Sequence, residues 1–141
     1  MSIPFNPPKF TITGPVFARL VSLHDGDTFT AVFNLANAYW KFQVRVDGID
    51  TPELVNKNPK AIEARHRLFQ LLTNDTTTDT RTFKKADFDS YFETKYIEFG
   101  FACAGFDKYG RVLGDLPTVK DTLIREGLAN PYSGGTKEKF Q

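Results

Sequence analysis

The chain has 141 residues, 40% of them apolar and 14% aromatic, enough for one packed domain and too apolar for a disordered chain. A formal net charge of +1 argues against a surface that coats nucleic acid broadly, yet leaves room for a short basic cleft. A single cysteine, Cys103, excludes an internal disulfide, and with two separated histidines, His24 and His66, it excludes a cysteine-based zinc site.

No apolar run approaches the roughly 18 residues of a membrane span. The opening "MSIPFNPPKF" lacks the basic-then-apolar pattern of a secretory signal. The expectation is a monomer without membrane association. The compartment stays unassigned, with an intracellular place favoured over export.

In chain order, residues 1–15 are broken by prolines and read as an extended arm or edge strand. "VFARLVSL" (16–23) reads as a strand, and Asp25-Gly26 follows as a turn. "TFTAVFNL" (28–35) is a second strand. A third lies within 37–46, where Phe42, Val44 and Val46 alternate with Lys41, Gln43 and Arg45. That alternation puts Arg45 on the polar face.

Residues 58–72 read as a helix, with Asn58 as N-cap, Pro59 in the first turn, and an apolar stripe of Ala61, Ala64, Leu68, Leu71 and Leu72. A Thr/Asp-rich loop follows, then "FKKADFDSYFETK", which is ambiguous between loop and short helix. "YIEFGFACAGF" (96–106) is a strand, "DKYGR" a turn and "VLGDL" a returning strand. Residues 118–127 read as a helix with Thr118 and Asp121 as a capping box and Gly127 as its stop. Strands clustered around interposed helices make an α+β, mainly β domain compatible with a small barrel. Its core is expected to be rich in the 14 phenylalanines.

Three stretches carry unusual charge. "DGDT" (25–28) and "DKYGR" (107–111) are each, taken alone, polar hairpin turns. "RVDGIDTPE" (45–53) holds Arg45, Asp47, Asp50 and Glu53. The three acids sit three residues apart, a spacing that would stack them on one helix face, but Gly48 and Pro52 oppose a helix there. Its bland reading is a strand end and a turn, with Pro52 opening a helical turn that Glu53 favours.

Together the three stretches support chemistry. If Asp27 meets Asp50, two like charges share a site, which is unfavourable unless one is protonated or a cation lies between them. The candidate ligands are hard oxygens from Asp27, Asp50 and a backbone carbonyl near Thr51, a set suited to Ca²⁺ or Mg²⁺. Glu53 stands one short step away as a candidate general base. Arg45 and Arg111 offer fixed positive charge for the oxygens of a phosphodiester under attack. Asp47 reads as turn structure around Gly48.

The ordered series "DGDT", "VRVDGIDTPE", helix, "DKYGR" and "LIREGLA" resembles the staphylococcal nuclease (thermonuclease-like) family from about Val16 to Tyr132. The resemblance implies one domain over 1–141, built on an OB-type five-stranded barrel with two to three packed helices. It implies a Ca²⁺-dependent, sugar-nonspecific endonuclease that cleaves single-stranded DNA and RNA and leaves 3′-phosphates. By position, Asp27 and Asp50 look like the calcium carboxylates and Thr51 like the carbonyl ligand. Glu53 looks like the general base, and Arg45 and Arg111 look like the phosphate-binding arginines. Lys108, Tyr109 and Tyr132 look like substrate-binding residues.

Residues 73–95 are longer than the matching link in compact members of that family and admit three readings, a substrate-side lid, a partner surface or a tolerated surface insertion, of which the last is favoured. Arg81, Lys84 and Lys85 within it read as a solvated charge run. Residues 133–141 read as a tail. The alternative reading is a catalytically weak or inactive module of the same fold that binds single-stranded nucleic acid or a protein partner.

Overall fold

The first strand, β1 (Thr13–Asp25), is long because Ala18 and Leu20 turn inward while register shifts at Leu20/Ser22 and Leu23/Asp25 bend it around the core. It begins three residues earlier than the 16–23 expectation, so the arm is confined to the residues before Thr13. In the computed structural model, which describes residues 2–132, β1 pairs with β2 (Thr28–Leu35), and β2 with β3 (Ala38–Val46). Ala36 and Asn37 join β2 to β3 with φ of 54° and 65°, the two left-handed residues of a tight hairpin. The tail expected at 133–141 lies outside the described residues.

Beyond β3 come the two-residue β4 (Ile49–Asp50), α1 (Pro59–Thr73), α2 (Lys85–Thr94) and β5 (Glu98–Phe106). Then follow β6 (Val112–Asp115), α3 (Pro117–Arg125) and β7 (Asn130–Pro131). The barrel runs β1-β2-β3-β6-β5 and closes with β5 on β1. Every pairing in it is antiparallel except β3 with β6, where Val44, Arg45 and Val46 face Val112, Leu113 and Gly114 in parallel. The five-stranded mixed barrel with three helices is α+β, mainly β, and consistent with an OB-type architecture. No helix among the described residues is long and apolar enough to cross a membrane.

The core is rich in phenylalanine, as expected: Phe29, Phe33, Phe69, Phe88 and Phe92 are all fully buried. Inside the barrel, Phe101 meets Phe29 and Phe33 edge-on, with centroids 6.1 and 6.0 Å apart. Cys103 is buried among them as a small apolar group.

Helix α1 matches its sequence signals. The Asn58 side chain accepts from the Lys60 N–H, Pro59 opens the helix, and Asn74 closes it in the left-handed region. Ala61, Ala64, Leu68 and Leu72 are buried, and Phe69 and His66 join them. Helix α3 differs. Pro117 occupies its first turn and Leu116 caps it without a side-chain hydrogen bond, so Thr118 and Asp121 lie inside the helix and form no capping box. Gly127 ends it as expected, with φ +73°.

The segment after α1 is not a loose surface loop. Asp75 accepts from the Thr77 N–H, the Thr78 hydroxyl and the Tyr91 hydroxyl at 2.8, 2.7 and 2.7 Å. These bonds hold its carboxyl well below the usual range, led by the Tyr91 bond. Helix α2 then presses Phe88 and Phe92 onto Phe69, at 6.3 and 6.1 Å between centroids. Two of the segment's cations are paired, Arg81 with Glu63 of α1 and with Asp79, and Lys85 with Asp89. Phe88→Ala is therefore expected to lower unfolding free energy by about 3–5 kcal/mol in urea titrations. A loss below about 1 kcal/mol would return α2 to the role of a surface addition.

Candidate active-site cleft

A cleft of about 590 Å³ opens where the β1–β2 turn, the end of β3 and the β5–β6 turn converge. All nine candidate residues line it. Asp27 comes from the first turn, and Arg45, Asp50, Thr51 and Glu53 come from β3 and the chain after it. Lys108, Tyr109 and Arg111 come from the third, and Tyr132 from the end of β7.

The acidic turn is seated by Gly26. A Cβ there would lie 2.7 Å from the Ala64 Cβ on α1 and 2.9 Å from the Thr51 Cγ2, so only glycine lets the turn rest against both. The Val46 N–H donates to the Asp27 carbonyl at 2.8 Å and fixes the turn to β3. The Asp27 carboxylate accepts from the Thr51 N–H at 3.1 Å and from the Thr28 hydroxyl at 3.0 Å. Those bonds bring Asp27 to the Asp50-Thr51 step.

Arg45 sits between the two aspartates. Its Nη2 lies 3.5 Å from Asp27 Oδ2 and 3.3 Å from Asp50 Oδ1, and its Nη1 donates to the Ile49 carbonyl at 2.9 Å. The Tyr132 ring lies 5.0 Å from the guanidinium. That ring is placed by the β4–β7 pairing and by the Tyr132 N–H donating to the Gly48 carbonyl at 2.9 Å. Gly48 takes φ +86° there, a value that L side chains rarely adopt. Arg45 lies on the polar face of β3, as alternation predicts, but not in open solvent. It is only 7% exposed, because β4 and Tyr132 cover the polar side of β3 at its end.

Arg111 is held from below. Its Nε donates to Asp107 Oδ2 at 2.6 Å, while Asp107 Oδ1 accepts the Tyr109 and Arg111 N–H groups at 2.8 and 2.9 Å. Burial alone would raise the Asp107 carboxyl, but the Arg111 bonds outweigh it and hold it below the usual range. Tyr109 is 73% exposed and presents its ring to Lys108 Nζ at 5.2 Å and to the Arg111 guanidinium at 5.4 Å. Glu53 is exposed in an irregular stretch. Pro52 opens no helical turn there, since α1 starts only at Pro59. Asp47 lies in the turn at Gly48, its N–H donates to the Gly114 carbonyl of β6, and it lines the cleft.

Sequence reasoning missed Asp25 and Asp107 as members of the site. Both stand in the quoted motifs, at "DGDT" and "DKYGR", where a hairpin turn alone accounts for an aspartate. Asp25 Oδ1 accepts the Asp27 N–H at 3.2 Å. Burial first, and then the Asp27 charge, push its carboxyl up to about 7.

The donor set suits a hard divalent cation. Asp27 and Asp50 offer carboxylates, Thr51 a carbonyl, and the buried Thr51 Oγ1 has no hydrogen-bond partner among the described residues. Among those residues no group of three or more His, Cys, Asp or Glu side chains forms a cage. The arrangement fits a cation held loosely, with water or an anionic ligand completing its shell.

Because the folded Asp25 carboxyl lies above its unfolded value of 3.8, the native state holds the extra proton between about pH 4 and 7. This group's favourable contribution is present at the acid end and is lost as pH rises through that window. Asp25→Asn is expected to flatten the window relative to the parent chain and raise stability at pH 8, read by urea unfolding across the pH range. Parallel curves for the two chains would refute the assignment.

No protein-family model matches the chain, and no curated protein matches it.

Proposed function

We propose that the chain is a calcium-dependent, sugar-nonspecific nuclease of the staphylococcal nuclease type, hydrolysing phosphodiester bonds of single-stranded DNA and RNA. The observation that carries this reading is the convergence of two carboxylates and two arginines, Asp27, Asp50, Arg45 and Arg111, on one cleft. Bound calcium, held by Asp27, Asp50 and the Thr51 carbonyl, would supply Lewis-acid neutralisation of phosphate charge.

Glu53 takes a proton from the attacking water as general base. As water adds to phosphorus, the bond to the 5′ oxygen breaks, that oxygen takes a proton from solvent to leave as a 5′-hydroxyl, and a 3′-phosphate remains. Charge grows on the non-bridging oxygens, and Arg45 and Arg111 stabilise it. Both guanidiniums are held in place before substrate arrives, Arg45 by Asp50 and the Ile49 carbonyl, Arg111 by Asp107. Little reorganisation is then needed in the transition state. Lys108, Tyr109 and Tyr132 flank the scissile position and take the adjoining nucleotide.

A second reading, a nucleic-acid-binding module without turnover, draws on the absence of a third carboxylate ligand among the described residues. Cleavage of single-stranded DNA and RNA, with calcium, magnesium or chelator in parallel, separates the two. Turnover is expected only with calcium in the millimolar range, and full cleavage in excess chelator would sink the proposal. Binding without metal that survives Glu53→Gln, with no cleavage in any buffer, would favour the module.

Arg111→Ala is expected to lower turnover at least about 10²-fold. An unchanged rate would remove Arg111 from the chemistry. Asp27→Asn keeps the shape of the Thr51 contact and is expected to abolish calcium binding in calorimetry. Normal affinity would exclude Asp27 as a ligand.

A further inference from the structure

The residues before β1 carry a composition that the cleft does not explain. From Ser2 to His24 there is no Asp or Glu, and the arm interleaves Phe5, Lys9 and Phe10 with Pro4, Pro7 and Pro8. Phe5 is fully exposed and Phe10 is 71% exposed, so neither ring is spent on the core. The arm is nevertheless anchored. The Gly105 N–H donates to the Ile12 carbonyl at 2.8 Å, and the Phe10 ring lies 6.1 Å from that of Phe106.

Those two contacts set its course. Thr13 pairs antiparallel with Ala104, so Phe10–Ile12 continue along the end of β5 in the direction of Asp107–Arg111, the turn that brings Lys108 and Tyr109 to the cleft. The prolines restrict the arm's backbone and lower the entropy lost on ordering it. Bare aromatic rings, a lysine and no acid suit a polyanion that carries stackable bases. A face made for a second protein chain would need no such freedom from acids.

We propose that the N-terminal arm extends the nucleic-acid track beyond the cleft. Single-stranded polynucleotide passing Lys108 and Tyr109 continues along the arm, with bases on Phe10 and Phe5 and a phosphate on Lys9. The proposal rests on the nuclease reading for its direction out of the cleft, but its test does not require turnover.

The test is fluorescence anisotropy in chelator at low salt, with labelled oligothymidylate of about 20 nucleotides and a labelled thymidine trinucleotide as probes. Full-length Phe5→Ser/Lys9→Gln is the main variant, and Phe10→Ser is the second, each checked for an unchanged melting temperature. The double variant is expected to bind the long probe about tenfold more weakly, with the salt slope reduced by about 0.7, and the trinucleotide as before. Unchanged long-probe binding in both variants overturns the proposal. So does equal weakening for both probes, or a parent dimer in sedimentation that the double variant dissociates. A parent chain that cleaves in calcium while the variants bind like the parent keeps the nuclease reading and loses the arm. Arm-dependent binding with no cleavage in calcium keeps the arm and loses the nuclease.

Discussion

The cleft depends on one buried ion cluster, Arg45 between Asp27 and Asp50. Two carboxylates facing one site repel each other, and both lose hydration there. Arg45 offsets that cost with its charge, with its donation to the Ile49 carbonyl, and with its contact to the Tyr132 ring. Removing one partner from such a cluster typically costs about 3–5 kcal/mol, because the others stay buried without compensation. Arg45 therefore couples stability to the proposed chemistry. Its loss would loosen the β3 end before any chemistry was tested, which makes Arg111 the cleaner kinetic probe.

That cluster exists only because the barrel closes as it does. Arg45 stands in register with Thr28 on β2 and Leu113 on β6. The parallel β3–β6 contact brings the Asp107–Arg111 turn beside the DGDT turn. Gly26 then lets the DGDT turn sit directly on α1. Helix α1 is held in turn by Phe69 against α2. The segment between α1 and β5 thus supports the wall behind the acidic turn. Arg65 of α1 joins the two, donating to the Phe83 carbonyl at 3.1 Å with its guanidinium 5.1 Å from the Phe88 ring.

Most of the fold was legible from local signals. Alternating apolar residues, the Asn-Pro start of α1 and the glycine stop of α3 all reported the backbone around them. Local signals failed where a neighbour in space overrode them. Alternation put Arg45 on the polar face of β3, as found, but carried no sign that β4 and Tyr132 cover it there. Thr118 and Asp121 had capping-box spacing, but Pro117 takes the start of the helix. "FKKADFDSYFETK" was ambiguous because six of its 13 residues are charged. It is a helix because Phe88 and Phe92 find Phe69 and β1.

The sequence by itself determined which side chains were available and in what order: DGDT, RVDGIDTPE and DKYGR, each with its charges in or beside a turn. Turn residues such as Gly26, Gly48 and Pro52 act on their own backbone, so those choices can be read locally. Only the tertiary structure decided that the three turns meet. It buried Arg45, raised Asp25 toward neutrality and made Asp107 the support of Arg111. Those outcomes depend on distance and burial between residues far apart in the chain, and electrostatic energies change with both far more than with sequence spacing.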